Sequence, residues 1–262
     1  MKKHLLFFDI DGTLRDEQTG FVSSKTREAV RAARANGHFA FLNTGRSFAE
    51  LDSDILEVGF DGLVCGCGTY VSFGEQILVK EEISGQKAYD ILKLLQLAGV
   101  QGLLEGEEYF YTSRTADHKT LLQVIEGFGP EVNTRLRYME DELPKFQKMS
   151  VWLGPDHKFS LFQDALKEEF DFIRRESDFY EVIPKGYSKA TGIAYLAEYL
   201  GVDPKHTVAV GDSTNDLSML QYAGLSIAMG NSKASVKEKV KFVTKSVEDE
   251  GIFYALARFG FV

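Results

Sequence analysis

The sequence predicts an α/β fold: a doubly wound parallel sheet with a Rossmann-like core, interrupted by an inserted α+β cap domain. Three observations lead there. The chain opens on Leu5-Leu6-Phe7-Phe8, four large apolar residues ended by a turn signal, which suits a strand buried on both faces of a parallel sheet. Short apolar runs then alternate with helix-length segments near both ends of the chain, the rhythm of right-handed βαβ units. Between residues 84 and 186 the rhythm changes to hairpin-paired strands grouped with helices, the pattern of a separate α+β unit.

After the first strand, residues 14–23 are polar, contain Gly20 and lack helical period, so a loop is expected. Ser24 is placed to cap a helix over 25–36 that stops at Gly37. Strands are expected at 39–42 and 63–65, with a helix over 47–56 between them. In the insert, a helix over 84–98 precedes a hairpin of 102–105 and 109–112. Next come a helix over 117–128, a strand near 132–136, a short helical piece near Asp141, a strand over 148–153 and a helix over 157–170. Strands at 171–174 and 179–183 close the insert. The alternating pattern resumes with a helix over 189–200, a strand at 208–210, a helix over 215–223 and a strand at 225–228. Short pieces at 235–239, 242–244 and 248–259 end the chain. The expected division is therefore 1–83 with 187–262 as core and 84–186 as cap.

Composition bounds what such a protein does. Hydrophobic content of 44% and charged content of 26% belong to an ordinary globular protein, and 262 residues suffice for a buried core. No apolar run approaches the roughly 18 residues needed to cross a membrane. The opening Met1-Lys2-Lys3-His4 precedes too short an apolar run for a signal peptide, so a cytoplasmic location is expected. Net charge of −9 argues against a nucleic-acid partner, which would need a basic face. It leaves open a small phosphorylated substrate, which needs only local cations. Cys65 and Cys67 are one residue apart, too close for an unstrained disulfide and too few for structural zinc, so reduced thiols are expected.

The polar residues that end the apolar runs carry the chemistry. Leu5–Phe8 lead into Asp9-Ile10-Asp11-Gly12-Thr13, and ligands of doubly wound sheets gather beyond the carboxyl ends of the strands. Two carboxylates two residues apart on extended chain share a side, and their repulsion asks for a proton or a cation. Alone, this is a polar turn after a core strand. Three more segments give it meaning: Thr44-Gly45-Arg46 after Phe39–Leu42, Lys189 at a helix start, and Gly211-Asp212-Ser213-Thr214-Asn215-Asp216 after Val208–Val210.

This ordered set resembles the haloacid dehalogenase superfamily, in its Cof-type, sugar-phosphatase-like branch, over nearly the whole chain. The resemblance implies a Mg²⁺-dependent phosphatase of small phosphorylated metabolites, with a large cap between the second and third motifs. It implies that Asp9 is the nucleophile, Asp11 the general acid and then base, Thr44 a hydroxyl on the phosphoryl group and Lys189 the neutralising ammonium. It further implies a metal held by Asp9, the Asp11 backbone carbonyl and Asp212, with Asp216 in support. Arg46, with Gly45, and Asn215 match motif positions near the phosphate. Gly12 and Thr13 are expected at the phosphate, and backbone N–H groups of the turn after Asp9 are added as a small anion nest. The Gly230-Asn231 turn also resembles the family, and a structural role is expected of it.

One departure stands out. Cys67-Gly68-Thr69 replaces the Asn-Gly-Ala-like turn common in Cof-type proteins, which bears on specificity rather than on core chemistry. Tyr109, Tyr111, Arg114, Arg135, Arg137, Lys148 and Arg174 are the cap's candidates for substrate contacts. A phosphomutase that returns the phosphoryl group to its substrate is the alternative, distinguished by an isomerised ester in place of free phosphate. A silent phosphometabolite-binding protein and a phosphorylatable receiver are weaker readings, since a receiver lacks both the D-x-D-G-T spacing and the insert.

Overall fold

The computed structural model describes residues 3–262. In chain order the first part holds β1 (Leu5–Phe8), α1 (Ser24–Ala35), β2 (Phe39–Asn43), α2 (Ser53–Leu56), β3 (Gly62–Cys65), β4 (Tyr70–Phe73) and β5 (Gln76–Lys80). The middle holds α3 (Gly85–Ala98), β6 (Val100–Glu105), β7 (Phe110–Thr112), α4 (Lys119–Gly127), α5 (Gly129–Asn133) and β8 (Leu136–Tyr138), then β9 (Lys148–Leu153), α6 (Phe159–Leu166), β10 (Phe170–Arg174) and β11 (Phe179–Pro184). The last part holds α7 (Lys189–Tyr199), β12 (Thr207–Gly211), α8 (Leu217–Tyr222), β13 (Leu225–Ala228), α9 (Ala234–Lys237), β14 (Phe242–Val243) and α10 (Gly251–Arg258).

The chain forms two compact units. One comprises the residues up to Gly45, Ser53–Val79 and Tyr187–Val262; the other comprises Arg46–Asp52 and Lys80–Gly186. Residues 46–52, assigned by sequence to the core, thus group with the inserted unit. The first unit is built on a sheet of order β14-β13-β12-β1-β2-β3-β4-β5. β1 pairs in parallel with β2 and with β12, and Phe8 lies opposite both Leu42 and Val210. The chain runs outward from β1 on one side and returns on the other, so β1 marks the topological switch point. All four residues of β1 are fully buried, each contributing ~1.5–3 kcal/mol of apolar burial. Leu5 and Phe7 pack on one face with Ile193 and Leu196 of α7 and Met219 of α8. Alternation sends Leu6 and Phe8 to the opposite face.

The second unit has a sheet of order β10-β11-β9-β6-β7-β8, antiparallel throughout except for the parallel β7–β8 pair. Ala88, Ile91 and Leu95 of α3 and Phe162 and Leu166 of α6 cover one face with Leu104, Met149 and Val182. On the other, Leu103, Phe110 and Trp152 pack with Leu121 of α4 and with Ala49 from the detached segment.

Several local expectations change. The α1 cap is Ser23, whose hydroxyl accepts the Thr26 N–H at 3.0 Å; Ser24 is already helical. The helix expected over 47–56 breaks into a 3₁₀ turn, Phe48–Glu50, and α2, because Leu51 is extended and Ala49 is buried in the inserted unit. The strand expected near 132–136 begins only at Leu136, as β8, because a helical turn opened by Gly129-Pro130 runs on to Asn133; proline suits such a first turn. The piece near Asp141 is a turn closed by Asp141 N–H on the Tyr138 carbonyl at 3.1 Å. The strands β4 and β5 have no counterpart in the sequence reading: four- and five-residue runs with Gly74 between them lack a clear period. No described helix is long and apolar enough to cross a membrane.

Candidate active site

At the carboxyl end of β1 the ladder continues one residue, with Asp9 N–H donating to the Val210 carbonyl at 3.1 Å. The chain then turns sharply: the N–H groups of Thr13, Leu14 and Arg15 all converge on the Ile10 carbonyl at 2.9–3.1 Å. Gly12 makes this possible. Its φ is +73°, and a Cβ there would lie 2.6 Å from Asp212 Oδ2. Asp9 is buried and Asp11 half-buried, and the charge of Asp11 still acts on Asp9.

Lys189 joins three segments. It opens α7, is 1% exposed, and places Nζ 2.6 Å from both Asp9 Oδ1 and Asp216 Oδ1. Asp216 Oδ2 accepts the N–H groups of Asp212 and Ser213, each at 3.0 Å, so both of its oxygens hold protein donors. Ser188 caps α7 by accepting the Thr191 N–H at 3.1 Å, which fixes where Lys189 starts the helix. Asp212 follows β12 and accepts the Thr13 hydroxyl at 3.3 Å.

Asp9, Asp212 and Asp216 each offer a carboxylate oxygen, and these lie within 4.8 Å of one another. Three acids then face one ammonium. Burial, followed by the charge of Asp216, raises Asp9 to about 8 against the pull of Lys189. Burial and Asp216 likewise raise Asp212 to about 7. Burial works against the Lys189 charge, but Asp216 and Asp9 outweigh it and hold the ammonium above its ordinary range. Such excess negative charge at hard oxygen donors is what a divalent cation relieves. The donor set therefore fits a Mg²⁺-type ion.

The haloacid dehalogenase-like hydrolase profile matches residues 6–256. The chain belongs to this family. Along 99% of both chains it is 33% identical to a Bacillus subtilis (strain 168) protein named "Putative phosphatase YkrA". It is 25% identical over 279 residues to 5-amino-6-(5-phospho-D-ribitylamino)uracil phosphatase YitU of the same organism, covering 96% of this chain and 95% of that one. Among solved structures, the haloacid dehalogenase subclass IIB sugar phosphatase BT4131 superposes with a TM-score of 0.80 at 26% identity, over 99% of this chain and 100% of that one.

The structure gives each of the expected site residues its own surroundings. Asp9, Lys189, Asp212 and Asp216 come together directly. Thr44 is buried at the end of β2, where its N–H donates to the Val64 carbonyl at 2.8 Å, and Gly45 comes next in the chain. Asn215 accepts the Ser213 hydroxyl at 2.6 Å within the turn. The N–H groups of Gly12 and Thr13 donate to the Arg15 and Ile10 carbonyls at 2.9 and 3.1 Å and close the turn after Asp9. Arg46 lies with the inserted unit, its guanidinium 5.8 Å from the Phe128 ring.

One residue was not foreseen from the sequence. Asn43 is fully buried and donates Nδ2–H to the Lys189 carbonyl at 3.0 Å, tying the strand before Thr44 to the helix that presents the lysine. Its polarity inside an apolar strand was the available signal. Asn231, of the turn for which a structural role is expected, bridges loops, donating to the Gly12 carbonyl at 2.8 Å and accepting the Val247 N–H at 3.1 Å. The Cys67-Gly68 turn packs against the start of α7: at Gly68, φ +93°, a Cβ would sit 2.5 Å from the Ser188 carbonyl oxygen. Cys65 and Cys67 are both buried and are not joined in a disulfide.

Several cap candidates for substrate contact have protein partners. Lys148 is buried between Glu105 and Glu181. Arg135 donates to the carbonyls of Ala49 and Leu51, and Arg174 to those of Glu176 and Ser177.

Proposed function

We propose that this phosphoric monoester hydrolase releases phosphate from small phosphorylated metabolites, sugar phosphates first among them, through an aspartyl-phosphate on Asp9 and with Mg²⁺. The arrangement of Asp9 against Lys189 carries the reading. One oxygen of Asp9 is held by the ammonium, which fixes the carboxylate and leaves the other oxygen to attack phosphorus. As the Asp9–phosphorus bond forms, the bond to the substrate oxygen breaks, and Asp11 gives that oxygen its proton. Asp11 then takes a proton from water as the water attacks phosphorus, freeing phosphate and restoring Asp9. Thr44 and Lys189 stabilise the phosphoryl oxygens, Arg46 and Asn215 assist, and Gly12 and Thr13 shape the loop.

Asp9, Asp212 and the Asp11 carbonyl would hold the cation, with Asp216 orienting Lys189 and the Asp212 turn. When bound, Mg²⁺ supplies charge that lets a carboxylate approach a phosphate dianion. Sugar phosphates lead because of the likeness to subclass IIB sugar phosphatase BT4131; the likeness to YitU adds phosphorylated ribityl compounds to the substrates worth screening. Two buried thiols that form no disulfide suit a cytoplasmic location.

A panel of phosphorylated metabolites assayed for free phosphate, with Mg²⁺ and with excess chelator, tests the proposal. Phosphate release that disappears in chelator and returns with Mg²⁺ is expected. Undiminished release in chelator would remove the metal from the mechanism, and isomerised esters without free phosphate would make the enzyme a mutase.

A further inference from the structure

The segment after Gly45 builds a polar site that the proposed reaction does not use. Ala49 is buried among Leu103, Phe110 and Trp152, its N–H donates to the Gly106 carbonyl at 3.4 Å, and Arg135 Nη1 donates to the carbonyls of Ala49 and Leu51 at 3.0 and 2.7 Å. These anchors carry Glu50, 2% exposed, into the interior of the inserted unit. Its Oε2 accepts the Ser47 N–H at 2.6 Å, and its carboxyl meets that of Glu105, itself 3% exposed.

The charges around this contact do not balance if both acids are ionised. From β9, Lys148 Nζ lies 2.9 Å from Glu105 Oε2, but it also serves Glu181 Oε1 of β11 at 3.5 Å. Arg175, beyond β10, is engaged with the other oxygen of Glu181. Arg135 points its Nη1 at backbone carbonyls. Glu105 Oε1 is buried and has no donor among the described groups. Two buried carboxylates in contact, sharing part of one ammonium, repel strongly, whereas a proton between them removes one charge and gives the orphaned oxygen its donor.

The geometry points to Glu50 as a protonated carboxyl that donates to Glu105 Oε1 and fastens Arg46–Asp52 to the inserted unit, a latch released as the proton is lost. Burial first, then Glu105, hold Glu50 well above its ordinary 4.5, against the opposing pull of Lys148 and the Ser47 N–H. A carboxyl raised on folding stabilises fully below its unfolded value, and that stabilisation is lost as pH rises through the raised one. The latch therefore weakens toward alkaline pH. Arg46 sits at the start of the latched segment, so its placement depends on the same proton; this last consequence rests on the phosphatase reading, whereas the protonation does not.

Glu50→Gln supplies a non-titrating donor to Glu105 and an acceptor for Ser47, while Glu50→Ala supplies neither. Thermal unfolding of the full chain is measured from about pH 5 to about pH 9, spanning the range above the unfolded carboxyl. The wild-type midpoint should fall steadily relative to Glu50→Gln as pH rises, and Glu50→Ala should lie below both at the acidic end. Infrared or carboxyl-carbon NMR spectra at neutral pH should show a protonated carboxyl that Glu50→Gln lacks. Wild-type and Glu50→Gln curves that stay parallel, or spectra without that signal, would overturn the latch even if Glu50→Ala failed to fold. Absence of phosphatase activity in the wild type would sink the functional reading and leave the unfolding comparison intact.

Discussion

Two buried lysines invite comparison. Lys189 in the first unit and Lys148 in the inserted unit are each at most 2% exposed, and each is flanked by two carboxylates. Their surroundings differ. Lys148 and Glu105 are register partners on adjacent strands β9 and β6, so their contact is a cross-strand pair inside a sheet. Lys189 sits beyond the strands, and its carboxylates come from the ends of β1 and β12, where Asp212 adds a third acid. The first arrangement lies across a packed face, where Arg175 shares Glu181 and a proton on Glu50 would remove the remaining excess. The second leaves an excess at the sheet's switch point, where ligands gather. Burial and ion pairing are common to both lysines; the position of the acids in the topology is what favours Lys189 for the proposed chemistry.

This contrast can be broken by experiment. Lys189→Met removes the ammonium that orients Asp9, and turnover should fall by about a hundredfold to a thousandfold, the scale for losing one preorganised charge-stabilising donor. Steady-state phosphate release checks it, and an unchanged kcat would show that Lys189 only balances charge. Lys148→Met should do the reverse. Removing one partner of a buried ion pair costs about 3–5 kcal/mol, visible as a lowered denaturant midpoint, while kcat of the protein that remains folded should stay near the wild-type value. A collapse in kcat with the fold intact would place Lys148 in the chemistry.

The smallest expected effect belongs to Asn43. Asn43→Leu deletes its bond to the Lys189 carbonyl and also removes a buried Oδ1 that has no donor among the described residues. Stability should change little, because donor and orphaned acceptor leave together. kcat should fall roughly tenfold, the equivalent of ~1.4 kcal/mol, with KM unchanged. Equal kcat for wild type and Asn43→Leu would separate Lys189 placement from this bond and leave the Ser188 cap as its anchor.

Much of this was legible in the chain itself. β1, β2 and β12 are short apolar runs with polar endings, and strands buried on both faces admit little else. The carboxylates that end them lie near one another because parallel strands in register bring their carboxyl ends together. Asp9, Lys189, Asp212 and Asp216 could therefore be named from motif and rhythm. Local rules could not supply the rest. Asn43 reads as an interruption in a strand until α7 is packed against it. Residues 46–52 have helical spacing, yet Ala49 is buried in the inserted unit's apolar cluster and Leu51 is held extended. Glu50 in sequence is one more surface acid. Only the tertiary structure buries it against Glu105, because the contact joins residues fifty-five positions apart and its energy depends on the desolvation that folding imposes.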